Sequence, residues 1–116
     1  MLELQNLCLK AGNFQIDKFS LKVPEGFCHV LMGPTGVGKT LVLETVCGLH
    51  APVSGKILLA GKELTGEAVE KRGISYVPQD LALFPHLTVK ENIYYGLKIR
   101  SLVAPLNNIK IAQLIE

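Results

Sequence analysis

The sequence contains no tryptophan, no block of basic residues, no internal repeat and no low-complexity stretch. Lys+Arg 12 stand against Asp+Glu 10, a formal charge of +2. The electrostatic footprint of a nucleic-acid partner is therefore missing, and no nucleic acid is expected. No apolar run approaches the roughly 18 residues that a membrane-spanning helix needs. The N-terminus, with Glu3 early, lacks the basic-then-apolar order of a secretory signal. Cysteine is scarce: Cys8, Cys28 and Cys47 are odd in number, far apart and set in apolar patterns. That spacing excludes a metal site or a redox pair. It predicts buried free thiols and suits a reducing cytosol.

What the chain has instead is apolar content. Of its 116 residues 48% are hydrophobic and 19% charged, which excludes a disordered chain. For a small domain, with much surface per volume, this is a high apolar share. Either the core is dense or some apolar surface expects a partner.

Residues 2–9 alternate as Leu2, Leu4, then Leu7, Leu9, and residues 14–23 as Phe14, Ile16, then Phe19, Leu21, Val23. Both read as strands of an antiparallel, half-exposed sheet. Residues 27–32 are almost continuously apolar, which predicts a strand covered on both faces. Leu41, Leu43, Val46, Cys47 and Leu49 carry helical spacing up to Gly48–His50. Residues 56–64 read as a hairpin around Ala60, Gly61 and Lys62, and residues 67–72 as one helical turn. Residues 74–77 predict a short buried strand stopped by Pro78. Thr88 and Glu91 form a capping box for a helix to about Leu97. A loop around Pro105 and a last helix from Asn107 or Asn108 through Ile115 complete the reading.

Between the apolar stretch and the first helix lies GPTGVGKT, residues 33–40, which fits G-x-x-x-x-G-K-[ST] in its required strand-to-helix setting. Gly33, Pro34, Thr35, Gly36, Val37 and Gly38 would curl so that successive N–H groups point at an anion. The helix beginning near Leu41 adds its positive N-terminal end. Lys39 is a mobile charge that can reach outer phosphates, and the Thr40 hydroxyl can ligate Mg²⁺. Nucleoside triphosphate with Mg²⁺ is the expected ligand, against a plain structural turn bearing a surface lysine.

The loop alone does not choose among kinases, GTPases and transport ATPases. The residues after it narrow the choice. ISYVPQD at 74–80 and LFPHLTVKENI at 83–93, with PVSGKI at 52–57 between loop and glutamine, resemble the ATP-binding subunits of ABC transporters. The longer stretches GPTGVGKTLVLETVCGL and EKRGISYVPQDLALFPHLTVKENIYYGLKIR are most similar to importers of the molybdate, tungstate, sulfate or iron type. The resemblance spans nearly the whole chain. It implies an α/β, partial P-loop NTPase fold: an antiparallel β subdomain, the start of a parallel core sheet with helices, and a helical subdomain beginning at about residue 88. It implies ATP and Mg²⁺ as cofactors, with Gln79 as a Mg²⁺ ligand that senses the γ-phosphate. Leu83, Phe84, Pro85, His86 and Leu87 would form the groove for an integral-membrane permease subunit. The family usually stacks an aromatic ring on adenine; that position falls either on Ala11 or on Phe14, the only nearby ring.

Residues 1–116 would then be the N-terminal part of such a domain, cut before the signature helix, since a full subunit is about twice as long. The signature, the acidic strand, the water-orienting glutamate and the switch histidine have no counterparts here. Phosphoryl transfer needs placed metal, placed water and charge stabilisation together. Binding of ATP–Mg²⁺ with little hydrolysis is therefore expected, and no catalytic residue is assigned. The family's site closes against a second ATP-binding subunit, at the cytoplasmic face of the cell membrane. Two other readings remain open: an interaction module that binds a permease or a second ATPase half without nucleotide, and a small P-loop kinase. The kinase would need more arginines than Arg72 and Arg100. Without the neighbouring acidic strand, residues 27–32 would present a bare apolar edge.

Overall fold

The computed structural model describes residues 1–99. The loop and last helix expected beyond Arg100 lie outside the described residues. The chain divides into two compact units, Met1–Tyr76 and Val77–Glu116.

The first unit is built on a four-stranded sheet in the order β2-β1-β3-β4, with β1 at Leu2–Ala11, β2 at Phe14–Val23, β3 at Ser54–Leu59 and β4 at Lys62–Glu63. Every pairing is antiparallel. The alternation of β1 and β2 changes phase midway, and the register shows why. Leu4 faces Leu21, Leu7 faces Phe19 and Leu9 faces Ile16, so the register shifts once on either side of Leu7. The extra residue falls first in β1, then in β2. Asn6 and Lys18 take positive φ at these points, 49° and 51°. Each bulge turns the next side chain back to the same face, so Leu4, Leu7 and Leu9 are all buried. The Asn6 backbone N–H donates to Ser20 Oγ at 2.9 Å, which satisfies the amide freed by the first bulge.

The second hairpin turns at Ala60 and Gly61, with φ of 50° and 81°. Two central residues with positive φ match the right-handed twist of the flanking strands. The helix α1 spans Lys39–Cys47. Its Val42 and Val46 join Leu4, Leu7, Leu9, Ile57 and Leu64 in one core. Leu43 and Leu49, which the spacing placed on the buried face, are 46% and 53% exposed. The buried stripe runs instead through Val42, Thr45 and Val46. Thr45 is tolerated there because its hydroxyl donates to Leu41 O at 2.7 Å. The charged stretch forms a 3₁₀ turn at Val69–Lys71.

Two expected strands do not form. Residues 27–32 and 74–77 belong to no strand, and Phe27, Val30, Met32 and Val77 are 71%, 69%, 86% and 77% exposed. An apolar run becomes a strand only when a neighbour supplies hydrogen-bond partners, and no described strand flanks either segment. Only Leu31 and Ile74 of these segments pack against the core. The α/β class and the antiparallel β subdomain stand; the start of a parallel sheet is not formed among the described residues. The thiols are all free, but only Cys47 is buried; Cys8 is half-buried and Cys28 exposed.

The second unit holds α2, Val89–Ile99. The capping box is formed: Thr88 N and Oγ1 both donate to Glu91 Oε2 at 2.8 Å, and Glu91 N donates to Thr88 Oγ1 at 3.3 Å. Hydrogen bonds from the Thr88 backbone and hydroxyl hold the Glu91 carboxyl below its ordinary value of 4.5. A depressed carboxyl adds stability that is complete above the ordinary value and is lost as pH falls through the lowered one. We therefore expect Glu91 to titrate at lower pH than a free glutamate. The α2 capping bonds should weaken as pH falls through that midpoint, as read by NMR of the carboxyl carbon and the Thr88 amide.

Candidate functional site

The loop between residue 32 and α1 is held from within. Val37 N donates to Pro34 O at 3.4 Å, closing a turn, and Val42 N donates to Gly38 O at 3.0 Å, opening the helix. Lys39 is half-buried, and its Nζ donates to Gly33 O and Pro34 O, both at 2.8 Å. The Lys39 side chain thus closes the loop on itself beside the N-terminal end of α1. Thr40 is exposed on the first helical turn, and Leu41 is half-buried behind it.

Gly38 is the residue this geometry cannot replace. It takes φ 92° as the N-cap of α1, a conformation that L side chains rarely adopt. A Cβ there would lie 2.7 Å from Phe14 Cε1 and 2.8 Å from Phe14 Cζ and Ile16 Cδ1. The Phe14 ring, at the start of β2, therefore rests on the loop backbone. A cavity of about 410 Å³ opens beside it, with Phe14, Ile16, Phe19, Leu31, Val37 and Lys39 among its lining. Most of the wall is apolar, with the Lys39 side chain as its charged member. An apolar pocket with few polar groups beside a curled, cationic loop suits a ligand with a flat apolar part and an anionic part.

The structure brings Gly33, Pro34, Thr35, Gly36, Val37, Gly38, Lys39, Thr40, Leu41 and Phe14 together within the first unit. Of the two candidates for a ring beside the site, Ala11 is exposed at the hairpin end while Phe14 touches the loop. Gln79 belongs to the second unit, where it is exposed in a turn closed by Leu81 N donating to Pro78 O at 3.1 Å. Among the described residues no group of three or more His, Cys, Asp or Glu could hold a metal. A cation here would rely on the Thr40 hydroxyl and on oxygens brought by the ligand.

In the second unit, Leu83, Phe84, Pro85 and His86 are exposed and Leu87 is half-buried. The Phe84 ring packs 4.3 Å from Tyr95 and 5.9 Å from His86. Asn92 fixes this loop: its Nδ2 donates to Phe84 O, Leu87 O and Thr88 O at 3.0–3.2 Å, and its Oδ1 accepts from Phe84 N at 2.9 Å. Asn92 carries no role in the motifs above. An asparagine one turn into a capped helix, after a Pro-containing loop, is the signal that could have found it.

A curled glycine loop closed by its own lysine and opening a helix, on an α/β scaffold, defines a P-loop NTPase. The sequence profile of the ABC transporter family matches residues 16–115, and the chain belongs to that family. It is 43% identical over 102 residues to the molybdate/tungstate import ATP-binding protein WtpC of Pyrococcus horikoshii, covering 88% of this chain and 30% of that one. It is 44% identical over 99 residues to the Fe(3+) ions import ATP-binding protein FbpC of Photorhabdus laumondii, covering 84% and 28%. Among solved structures, the dimeric ABC transporter cassette MJ0796 bound to ADP and Pi superposes with a TM-score of 0.76 at 26% identity, over 95% of this chain and 52% of that one. The chain thus spans less than a third of the length of these curated relatives, which are longer than the twofold length that the resemblance implied.

Proposed function

We propose that the chain is the phosphate-holding part of the ATP-binding subunit of an ABC importer, and that it binds ATP with Mg²⁺. The observation that carries this is the loop of residues 33–40, closed by Lys39 on Gly33 O and Pro34 O at the N-terminus of α1. On binding, Lys39 would exchange carbonyl partners for phosphate oxygens. The N–H groups around Gly38 and Lys39 would receive the anion, and the Thr40 hydroxyl would ligate Mg²⁺; for Gln79 the family resemblance alone supports a role as a Mg²⁺ ligand. The Phe14 ring and the apolar cavity beside it would take the base. A magnesium ion bound there would supply neutralisation of phosphate charge. Residue by residue, this chain binds and orients, and we assign it no catalytic group.

Within the complete subunit we place these residues at the cytoplasmic side of the membrane, facing a second ATP-binding subunit. A permease would dock on Leu83, Phe84, Pro85, His86 and Leu87, whose backbone is held by Asn92 at Phe84 and Leu87. The helical subdomain would begin at about residue 88. For the solute we propose an oxyanion of the molybdate or tungstate kind. The 43% identity to a molybdate/tungstate relative supports this, although the iron relative is equally similar.

Calorimetric titration of the chain with ATP and Mg²⁺, beside Lys39→Ala, tests the reading; heat is the natural probe in a chain without tryptophan. A charge-assisted hydrogen bond is worth about 1.5–3 kcal/mol, so Lys39→Ala should weaken binding by roughly 10–100-fold. Equal binding by both proteins would overturn the role of the loop. A permease interaction that survives Lys39→Ala without any nucleotide binding would favour the plain interaction module.

A further inference from the structure

We infer that Arg72 is a positioning residue for the phosphate loop, acting through the far end of α1; this rests on the nucleotide-binding reading above. Arg72 is 5% exposed, and no carboxylate pairs with it among the described residues. A buried cation without a counter-charge is costly unless its donors are satisfied. Here main-chain carbonyls do this. Nη1 donates to Thr45 O and Val46 O, both at 3.0 Å, Nε to Glu67 O at 3.0 Å and Nη2 to Thr65 O at 3.1 Å.

Two of these four acceptors belong to the last turn of α1. The final carbonyls of a helix have no partner within it and carry its negative end, so a cation is favoured there. Gly48 ends the helix with φ 94°. A Cβ on it would lie 2.5 Å from Arg72 Nε and 2.8 Å from Cζ, so the guanidinium lies against the Gly48 backbone. The other two acceptors belong to the loop that follows β4. Arg72 therefore clasps the end of α1 to that loop.

The consequence reaches the loop of residues 33–40 because α1 is only nine residues long. Its apolar face, Val42 and Val46, is held by non-directional packing, which tolerates small rotations about the helix axis. The directional bonds that fix that rotation are those of Arg72. They set where the N–H groups of the opposite end point. Lysine cannot substitute, because one ammonium does not span acceptors on two segments as a planar fork does.

The test uses the whole chain, wild type beside Arg72→Lys and Arg72→Ala, at a temperature where thermal melts show each to be folded. We expect Mg-ATP affinity to fall at least tenfold in both variants. Millimolar guanidinium should restore it in Arg72→Ala, but not in Lys39→Ala and not when replaced by equal sodium chloride. Exchange of the Val42 amide, bonded to Gly38 O, should be accelerated in Arg72→Lys relative to the amides of β1. Folded variants that bind as the wild type would overturn the inference and leave the nucleotide reading intact. A wild type that does not bind would sink the nucleotide reading itself. Should Arg72→Ala fail to fold, unchanged affinity and unchanged Val42 exchange in Arg72→Lys would overturn the inference by themselves.

Discussion

Gly38→Ala is expected to abolish Mg-ATP binding and to lower stability by roughly 2–6 kcal/mol. Two independent costs add. The left-handed backbone at φ 92° is strained for alanine, on the order of 1–3 kcal/mol. The added methyl must also displace Phe14 and Ile16, whose ring and side-chain atoms stand 2.7–2.8 Å from where it would lie. Overpacking of this kind costs about 1–3 kcal/mol. Relief by rotation of Gly38 would break its carbonyl away from Val42 N and unwind the first turn of α1. Relief by movement of Phe14 would tilt the ring away from the cavity. Either way the loop loses the shape that presents Lys39. The two costs can be separated. In Gly38→Ala with Phe14→Ala, the steric part should be relieved while the backbone strain remains, so the double variant should be more stable than the sum of the single changes predicts. Urea unfolding of the four proteins measures this, and calorimetry with Mg-ATP follows the site. Additive losses would show that Phe14 and Gly38 are not packed together as described.

Much of the site was legible because it is local. GPTGVGKT carries its geometry in its own glycines and lysine, and the capping box at Thr88 and Glu91 is a three-residue relation. The hairpin at Ala60 and Gly61 was readable for the same reason. What could not be read depends on partners distant in sequence. Residues 27–32 have the composition of a central strand, but a strand is a relation between two segments, and no described neighbour supplies the ladder. The phase change between Leu4 and Leu7 was visible as broken alternation, yet only the register shows compensating bulges in β1 and β2. Arg72 lies inside the stretch EKRGISYVPQD, but nothing in that stretch names its partners. Its partners are carbonyl oxygens at residues 45, 46, 65 and 67, and every residue type offers a carbonyl. That the Phe14 ring packs against Gly38 could not be read either, because the two are 24 residues apart in sequence.

Leu7→Ala should produce the other large effect, a loss of about 2–5 kcal/mol. Leu7 is fully buried, and it lies between the two bulges, opposite Phe19. Removing it opens a void among Leu4, Leu9, Val42, Val46 and Ile57, the same cluster on which α1 rests. The core is small. Eight apolar residues are buried among those described, so few contacts can absorb the loss, and a domain of this size commands only about 5–15 kcal/mol in total. Leu43 supplies the contrast. It is also a leucine and carries helical spacing in the sequence, but it is 46% exposed. Leu43→Ala should change stability by no more than about 0.5 kcal/mol. The urea midpoints of the two variants against wild type decide between them. Nucleotide affinity adds a second comparison: measured on the folded fraction, it should fall in Leu7→Ala and hold in Leu43→Ala, because only Leu7 supports the packed face of α1. Equal shifts in the two variants would mean that α1 does not rest on the sheet through Val42 and Val46. The core, and the loop that it carries, would then have to be redrawn.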